Sequence, residues 1–331
     1  MSRSAEEGHF MRVACGSEER YAWGAGAAVN KEASDSWQAE IRAEFANLEE
    51  IALATKPASG DLPELRGVDI DGISMPLRQA IGGDHLIYLD FKQRYDLERR
   101  IREAEAAGNE RVVAGLRQSQ QRAGVLVADV SGHKATDALV AAMLHQAFLL
   151  GAYYELDLFG EITTRLFEHI NQRFYKSTTL NKYLTMLYGE VSEQGRFRFF
   201  SAGHPAPLLF AGRPGRIEHL REDQLVRFPP VGMFASNAYM DELVDPGPLG
   251  YKRPYEVSEV DLLEAGDLLL LYTDGFAEHG EERYIAERAE SLLETVRGLR
   301  ASEICERLRD DLVAFAPPED DVSFVVIKKT E

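Results

Sequence analysis

Apolar and polar positions show a helical period in the first part of the chain. From Asp35 the apolar residues recur at steps of three or four, which predicts one face of a helix that ends before Pro57. The members of this stripe are Trp37, Ile41, Phe45, Leu48 and Ala52. The stripe is either core packing or a seam for another helix. In the second case the stripe would form a dimer interface or a regulatory contact, because an apolar helix face outside the main domain must be buried against another surface.

Short apolar runs bounded by turn residues predict strands along the rest of the chain. They read GVDIDGIS, HLIYLDF, GVLVADV, KYLTMLYGEVS, RFRFFSAG, PLLFA and DVSFVVIKK, with two more near 257–262 and 267–272. Helical periods cover 135–154, 159–175, 282–299 and 302–314. Because strands and helices come in separate runs rather than in strict alternation, we predict an α+β fold with mainly antiparallel sheet.

A charged segment at about 92–122 interrupts the early strands. Two short helical stripes lie on either side of Gly108 and Asn109, which predicts a helical hairpin inserted between two strands. We expect this hairpin to project from the sheet, either as a solvated decoration or as an arm that binds a partner.

Composition divides the chain into two predicted regions. Residues 1–34 are rich in Gly, Ala, Ser and Glu without a sustained period, which is typical of a disordered segment or a small cap. We therefore predict an N-terminal extension over 1–60, which carries the amphipathic helix, and one domain over 61–331. Hydrophobic residues make up 45% of the chain, enough for a sizeable core.

Charge and cysteine content narrow the class of function. The chain has 37 basic and 55 acidic side chains, a net charge of −18, which argues against nucleic acid or an anionic membrane as a partner. Bound metal ions, cationic partners or solubility alone would explain it. Two cysteines and no signal-peptide pattern indicate a reducing compartment. The longest apolar stretch, 138–154, is shorter than a membrane span, so we expect a cytoplasmic protein.

Acidic residues recur at the ends of predicted strands. They are Asp84 after two glycines, Asp129, Asp274, and the pair Asp320 and Asp321. Each one alone is most often a turn residue or a helix cap. If the strand ends share one sheet edge, however, the carboxylates would meet in one pocket and repel each other, which would raise their pKa values.

Divalent cations would remove that repulsion. Carboxylate, carbonyl and water oxygens suit Mg²⁺ or Mn²⁺, whereas the ligands of a typical zinc site are missing from these motifs. Two such ions can share a water, lower its pKa and hold a phosphoryl oxygen for displacement. On this interpretation Gly82 and Gly83 let the backbone pass near a metal held by Asp84.

Five ordered motifs carry a resemblance to a known family. They read IGGDHLIYLDF, VADVSGHKATDALVAAML, FFSAGHPAPLLF, LLLLYTDGFAE and PEDDVSFVVI. Together they resemble the SpoIIE-type serine phosphatases, a bacterial branch of the metal-dependent (PPM, type 2C-like) protein phosphatases, over roughly 65–329. The resemblance implies an αββα sandwich, in which two mainly antiparallel sheets are flanked by helices and two Mn²⁺ or Mg²⁺ ions lie at one edge.

The resemblance also assigns roles to residues of this chain. It implies that Asp84 and Asp129 hold the metals, that the main-chain carbonyl of Val130 is the next ligand, and that Asp274 and Asp320 supply the later acids. It further implies that a water between the metals attacks the phosphorus of a phosphoserine or phosphothreonine without a phosphoenzyme.

The family's partners follow from the same resemblance. The implied substrate is a phosphorylated STAS-type anti-anti-sigma protein in a partner-switching pathway. A helix such as the one that begins at Asp35 commonly links the catalytic domain to a regulator or to a second copy of the chain.

Several features depart from the family pattern or have two interpretations. The inserted hairpin separates the first two acids, so we expect substrate access to differ. Lys134 replaces the second glycine of the SGHG motif and either contacts phosphate or is solvated. His133 is either a packing residue or a general acid, and His204 is predicted to stabilise a turn. Arg78 is either an exposed residue or a ligand of the phosphate.

The sequence thus predicts a cytoplasmic, metal-dependent protein serine/threonine phosphatase. A catalytically silent module that binds a phosphoprotein through the same surface is the alternative from a different class. A phosphohydrolase of small molecules would share the metal site and differ in the shape of its substrate.

Overall fold

The structure is a computed structural model. It describes residues 23–54, 62–77, 82–131, 135–176, 183–221, 224–241, 245–262 and 264–331. Arg78, His133 and Lys134, whose roles the sequence leaves open, lie outside the described residues.

The chain divides into two compact units, 1–47 and 48–331. The described part of the first unit is helical and belongs to α1, Trp23–Leu53. Trp37, Ile41 and Phe45 of the predicted stripe are exposed by 69%, 42% and 52%. The use of this stripe as a seam for another helix stays a prediction.

The second unit contains most of the regular structure. After the end of α1 its helices are α2 Phe91–Arg94, α3 Leu97–Ala106, α4 Glu110–Ser119, α5 Ala135–Phe159, α6 Thr164–Lys176, α7 Asp274–Ala277, α8 Glu290–Val296 and α9 Ala301–Phe315. Its strands are β1 Val68–Met75, β2 His85–Asp90, β3 Arg122–Val130, β4 Leu184–Ser192, β5 Arg196–Ala202, β6 Leu208–Ala211, β7 Arg216–Glu218, β8 Arg227–Phe228, β9 Ser258–Asp261, β10 Leu268–Tyr272 and β11 Val322–Lys329.

The strands form two sheets. Sheet A has the order β1-β11-β10-β6-β7, and sheet B has the order β2-β3-β4-β5-β8, with β9 also paired to β5. All strand pairs are antiparallel except β5 with β8. The prediction of mainly antiparallel sheet is confirmed.

Three apolar layers hold the sheets and helices together. Along β3, Val125 and Val127 face the layer between the two sheets, and Leu126 faces the layer under α3 to α6. Along β11, Val325 faces the layer between the sheets and Val326 faces the layer under α8 and α9. Successive strand residues point to opposite faces, and both faces are buried, which explains the continuous apolar runs. The predicted αββα sandwich is confirmed.

The inserted hairpin, α3 with α4, does not project from the sheet. Leu97 and Leu116 are buried in the same layer as Phe148 of α5. The buried guanidinium of Arg100 lies over the ring of Tyr153, with 4.4 Å between the guanidinium carbon and the ring centroid. The expectation of a projecting hairpin is wrong, because its apolar stripes extend the helical layer over sheet B.

The hairpin also lies at the end of sheet B that is remote from Asp84. Strand β2 begins directly after Asp84 and ends at Asp90, whose side chain accepts hydrogen bonds from the first amides of α2. At about 3.3 Å per residue, the strand spans roughly 20 Å between the two points. The expected influence of the hairpin on access to the acids therefore finds no support.

Helix α5 passes a composition test for a membrane span, since residues 136–159 are long and apolar enough. In the fold, Leu144, Phe148 and Leu156 of this helix are buried in the layer against sheet B. We therefore interpret α5 as the core helix of this layer.

Candidate active site

Two of the predicted acids lie at one end of sheet B. Asp84 precedes β2, and Asp129 is the second-last residue of β3. The antiparallel register pairs His85 with Ala128, and the Val130 amide donates to the Gly83 carbonyl over 3.3 Å. Asp84 and Asp129 are therefore neighbours across two adjacent strands.

The other acids lie at one end of sheet A. Asp274 begins α7 directly after β10, and Asp320 and Asp321 precede β11. The two strands are adjacent, and the Thr273 amide donates to the Ser323 carbonyl over 3.0 Å. The two chain segments that carry these acids are thus fixed beside each other.

Hydrogen bonds join the two sheet ends. The Thr273 hydroxyl donates to Asp84 Oδ2 over 2.8 Å and accepts from the Ser323 amide over 3.0 Å. Both carboxylate oxygens of Asp321 accept main-chain amides, from Leu77 at 2.7 Å and from Gly83 at 2.8 Å. The acids from both sheets therefore meet at one edge of the sandwich.

The same contacts explain the first glycine of the Gly-Gly-Asp motif and the glycine that follows Asp274. A Cβ atom at Gly82 would lie 2.1 Å from Asp321 Oδ2, and one at Gly275 would lie 2.0 Å from the Asp321 carbonyl. The interpretation that Gly82 makes room for a metal needs correction, because the group it makes room for is the Asp321 carboxylate.

Burial and like charge perturb these carboxylates. Burial raises the pKa of Asp84 well above its ordinary value, and the Asp129 carboxylate raises it further. Burial, followed by Asp274 and Asp320, raises the pKa of Asp129 to about 7. Burial and Asp320 also raise the pKa of Asp274. Because each carboxylate disfavours ionisation of the next, the fully ionised cluster needs added positive charge.

The described residues do not supply that charge as ion pairs. Within the described ranges, no lysine or arginine forms a salt bridge with Asp84, Asp129 or Asp274. The oxygen donors of the cluster suit a hard divalent cation. No group of three or more described His, Cys, Asp or Glu side chains is arranged to hold a metal ion, however, so the ligand set stays a prediction.

Sequence reasoning missed several neighbours of the acids. Thr273 orients Asp84, and Asp321 holds the glycine loop rather than acting as a second copy of Asp320. Asp137, in the first turn of α5, is fully buried, and its charge contributes to the raised pKa of Asp129. The threonine before the acid in LLLLYTDG was a readable signal for Thr273, whereas the role of Asp321 depends on the approach of a distant loop.

His204 lies in the turn between β5 and β6. The Ser201 hydroxyl donates to the His204 carbonyl over 2.8 Å, which fits the predicted turn-stabilising role. Burial lowers the pKa of the imidazole to about 3, so the ring is neutral at physiological pH.

Two antiparallel sheets between helical layers, with carboxylates gathered at one edge, place the protein in the class of type 2C-like phosphatase folds. Residues 119–330 match the family described as Stage II sporulation protein E (SpoIIE), well over half of the chain. The chain therefore belongs to the SpoIIE family, and the resemblance found in its motifs is confirmed.

Similar proteins agree with this assignment. The chain is 29% identical over 157 residues to the phosphoserine phosphatase RsbP of Bacillus subtilis, which covers 47% of this chain and 33% of RsbP. It thus spans about a third of that relative.

Solved structures show the same fold. The SiaA PP2C domain of Pseudomonas aeruginosa matches with a TM-score of 0.57 and 15% identity, over 88% of this chain and 98% of that one. The RsbU and RsbW domains of a Mycobacterium tuberculosis protein match with a TM-score of 0.55 and 20% identity, over 83% of this chain and 64% of that one.

Proposed function

We propose that the protein is a metal-dependent protein serine/threonine phosphatase. The observation that carries the proposal is the meeting of carboxylates from both sheets at one edge, where burial and mutual repulsion raise their pKa values. A surface that only captured phosphate would gain nothing from such a cluster, because the carboxylates would repel the ligand. Membership of the SpoIIE family supports the same activity.

Two Mn²⁺ or Mg²⁺ ions would complete the site. The residues that would hold them are Asp84, Asp129, the main-chain carbonyl of Val130, Asp274 and Asp320. When bound, such ions neutralise phosphoryl charge and make a water a better nucleophile.

Neighbouring residues of the chain prepare this edge for binding. The Thr273 hydroxyl fixes the orientation of the Asp84 carboxylate, as a hydrogen-bond donor behind a metal ligand does. Asp321 holds Gly83, and with it the segment that presents Asp84, through its hydrogen bond to the Gly83 amide. Burial strengthens every electrostatic interaction at this edge.

The proposed substrate is a phosphorylated protein, in particular a STAS-type protein of a partner-switching pathway. The name of RsbP, a phosphoserine phosphatase, and the RsbU and RsbW domains of the structural relative support this substrate class. We place the protein in the cytoplasm, and we propose that the exposed stripe of α1, which includes Trp37 and Phe45, binds a regulator or a second copy of the chain.

The test is hydrolysis of p-nitrophenyl phosphate by the full chain with Mn²⁺, with Mg²⁺ and with a chelator. We expect turnover only with metal, and its loss in Asp84→Asn and in Asp274→Asn. Asp310→Asn is the matched control, because Asp310 is an exposed residue of α9. Normal turnover in both site variants would contradict the proposal. Retention of a phosphorylated STAS protein without phosphate release would favour the silent binding module instead.

A further inference from the structure

Several contacts hold the turn that carries the imidazole of His204. The preceding residue, Gly203, has a φ of 66°, and a Cβ atom there would lie 2.5 Å from Pro230. The Gly203 amide donates to the Phe228 carbonyl over 2.7 Å, and Ser201 holds the His204 carbonyl. These contacts hold the turn in a conformation in which His204 is buried.

The ring reaches the strand that carries Asp129. His204 Nδ1 lies 2.9 Å from the Thr185 hydroxyl oxygen, within hydrogen-bond distance. Thr185 belongs to β4 and is the register partner of Asp129 on β3. The His204 ring is thus bonded to the residue that pairs with Asp129 across the two strands.

The same ring also faces sheet A. The main chain of Tyr272 interacts with the imidazole and opposes the effect of burial on its pKa. Tyr272 ends β10 and directly precedes Thr273, the residue that donates to Asp84. The ring thus has a contact on each side, with the Thr185 hydroxyl on sheet B and with the Tyr272 main chain on sheet A.

We propose that His204 is a positioning residue that spans the two sheets at the acid edge, and that it sets the separation between Asp129 on sheet B and Asp274 beside sheet A. The inference rests on the proposed function, because the separation matters only if the acids share metal ions. His204 acts through Thr185 and touches neither substrate nor metal. Ligating groups need their geometry held to about 0.5 Å, and loss of a supporting hydrogen bond typically costs 10- to 100-fold in metal affinity.

The experiment measures Mn²⁺ affinity by titration calorimetry on the full chain. Thr185→Val removes the hydroxyl and keeps the shape, and His204→Phe keeps a ring without Nδ1. We expect each variant to bind Mn²⁺ about tenfold more weakly, and the double variant to be no weaker than either one, because both remove the same link. Thr185→Ser should restore the affinity. Thr295→Val is the matched control, because Thr295 is exposed on α8.

A second measurement separates positioning from general damage. The thermal midpoint of Thr185→Val in chelator should match that of Thr295→Val, while its KM for p-nitrophenyl phosphate at saturating Mn²⁺ stays unchanged. Wild-type Mn²⁺ affinity in Thr185→Val, or additive losses in the double variant, would overturn the inference alone. A wild-type protein that neither binds Mn²⁺ nor hydrolyses the substrate would overturn the proposed function and this inference with it.

Discussion

The buried Glu168 and the carboxylates of the acid edge (Asp84, Asp129, Asp274 and Asp320) have different surroundings. On α6, Glu168 is 1% exposed, and its carboxylate accepts from Lys252 Nζ at 2.7 Å, from the Ser236 hydroxyl at 2.6 Å and from the Tyr255 amide at 2.7 Å. The ammonium also lies 3.4 Å from the centroid of the Tyr255 ring. The chain thus supplies this carboxylate with both a charge and a set of donors.

At the acid edge, the described residues donate hydrogen bonds to Asp84 and Asp321, and no described lysine or arginine forms a salt bridge with Asp84, Asp129 or Asp274. The Asp84 carboxylate accepts a hydrogen bond from the Thr273 hydroxyl, and the Asp321 carboxylate accepts hydrogen bonds from two main-chain amides. The groups that raise the pKa of Asp129, besides burial, are other carboxylates. The comparison shows that this fold can pair a buried carboxylate with a cationic side chain of its own. For Asp84, Asp129 and Asp274, which have no such pair among the described residues, a cation from solution is a better explanation than three uncompensated charges.

The largest effect should come from breaking the paired cluster. Lys252→Met leaves Glu168 buried without its counter-charge, and we expect a loss of about 3–5 kcal/mol in the free energy of unfolding. Urea denaturation measures it. Arg196→Met is the matched control, because the Arg196–Asp261 pair is exposed by 57% and 47% and solvent screens it, so its loss should change stability little. Equal losses in the two variants would remove the contrast between paired and unpaired acids.

The next effect is the pH dependence of the metal-free protein. The folded pKa of Asp129 is raised to about 7 from an ordinary 3.8, so the folded state binds this proton more tightly than the unfolded state does. Stability should therefore fall as the pH rises from about 4 to about 7, by an amount on the order of a few kcal/mol.

Urea denaturation in chelator at about pH 5 and about pH 8 measures this slope. Asp129→Asn should flatten it, whereas Asp310→Asn should leave it as in the wild type. An unchanged slope in Asp129→Asn would show that the cluster does not repel as described.

A smaller effect should follow from crowding the loop that joins the two sheets. Gly82→Ala places a methyl group against the Asp321 carboxylate, so we expect a loss of about 1–3 kcal/mol and weaker Mn²⁺ binding. Gly298→Ala is the control, since no atom lies within 4 Å of a Cβ there. A stable Gly82→Ala variant with normal metal binding would mean that the loop adapts and that Asp321 does not fix Asp84.

The apolar pattern predicted the order of the main elements and the mainly antiparallel sheet, and the family resemblance implied the sandwich. The continuous apolar runs within Leu268–Tyr272 and Val322–Lys329 identify strands buried on both faces. The sequence also predicted that the acids at the strand ends lie close together, because strand ends that share a sheet edge bring distant residues together. The burial of the hairpin was not predicted. An apolar stripe such as the one that contains Leu116 shows that a helix face packs against another element, but it does not show which element. Asp321 holds the glycine loop through a hydrogen bond from the Gly83 amide. The two residues are 238 positions apart in the chain, so no local pattern reveals this contact.

The most direct test of the central claim, that a divalent cation supplies the charge missing at the acid edge, is the change in the free energy of unfolding when Mn²⁺ replaces chelator. At a hundredfold excess over the dissociation constant, the wild-type protein should gain about 2.7 kcal/mol. The Asp84→Asn, Asp274→Asn double variant should gain nothing. Equal stability of the wild type with and without Mn²⁺, or an equal gain in the double variant, would contradict the account.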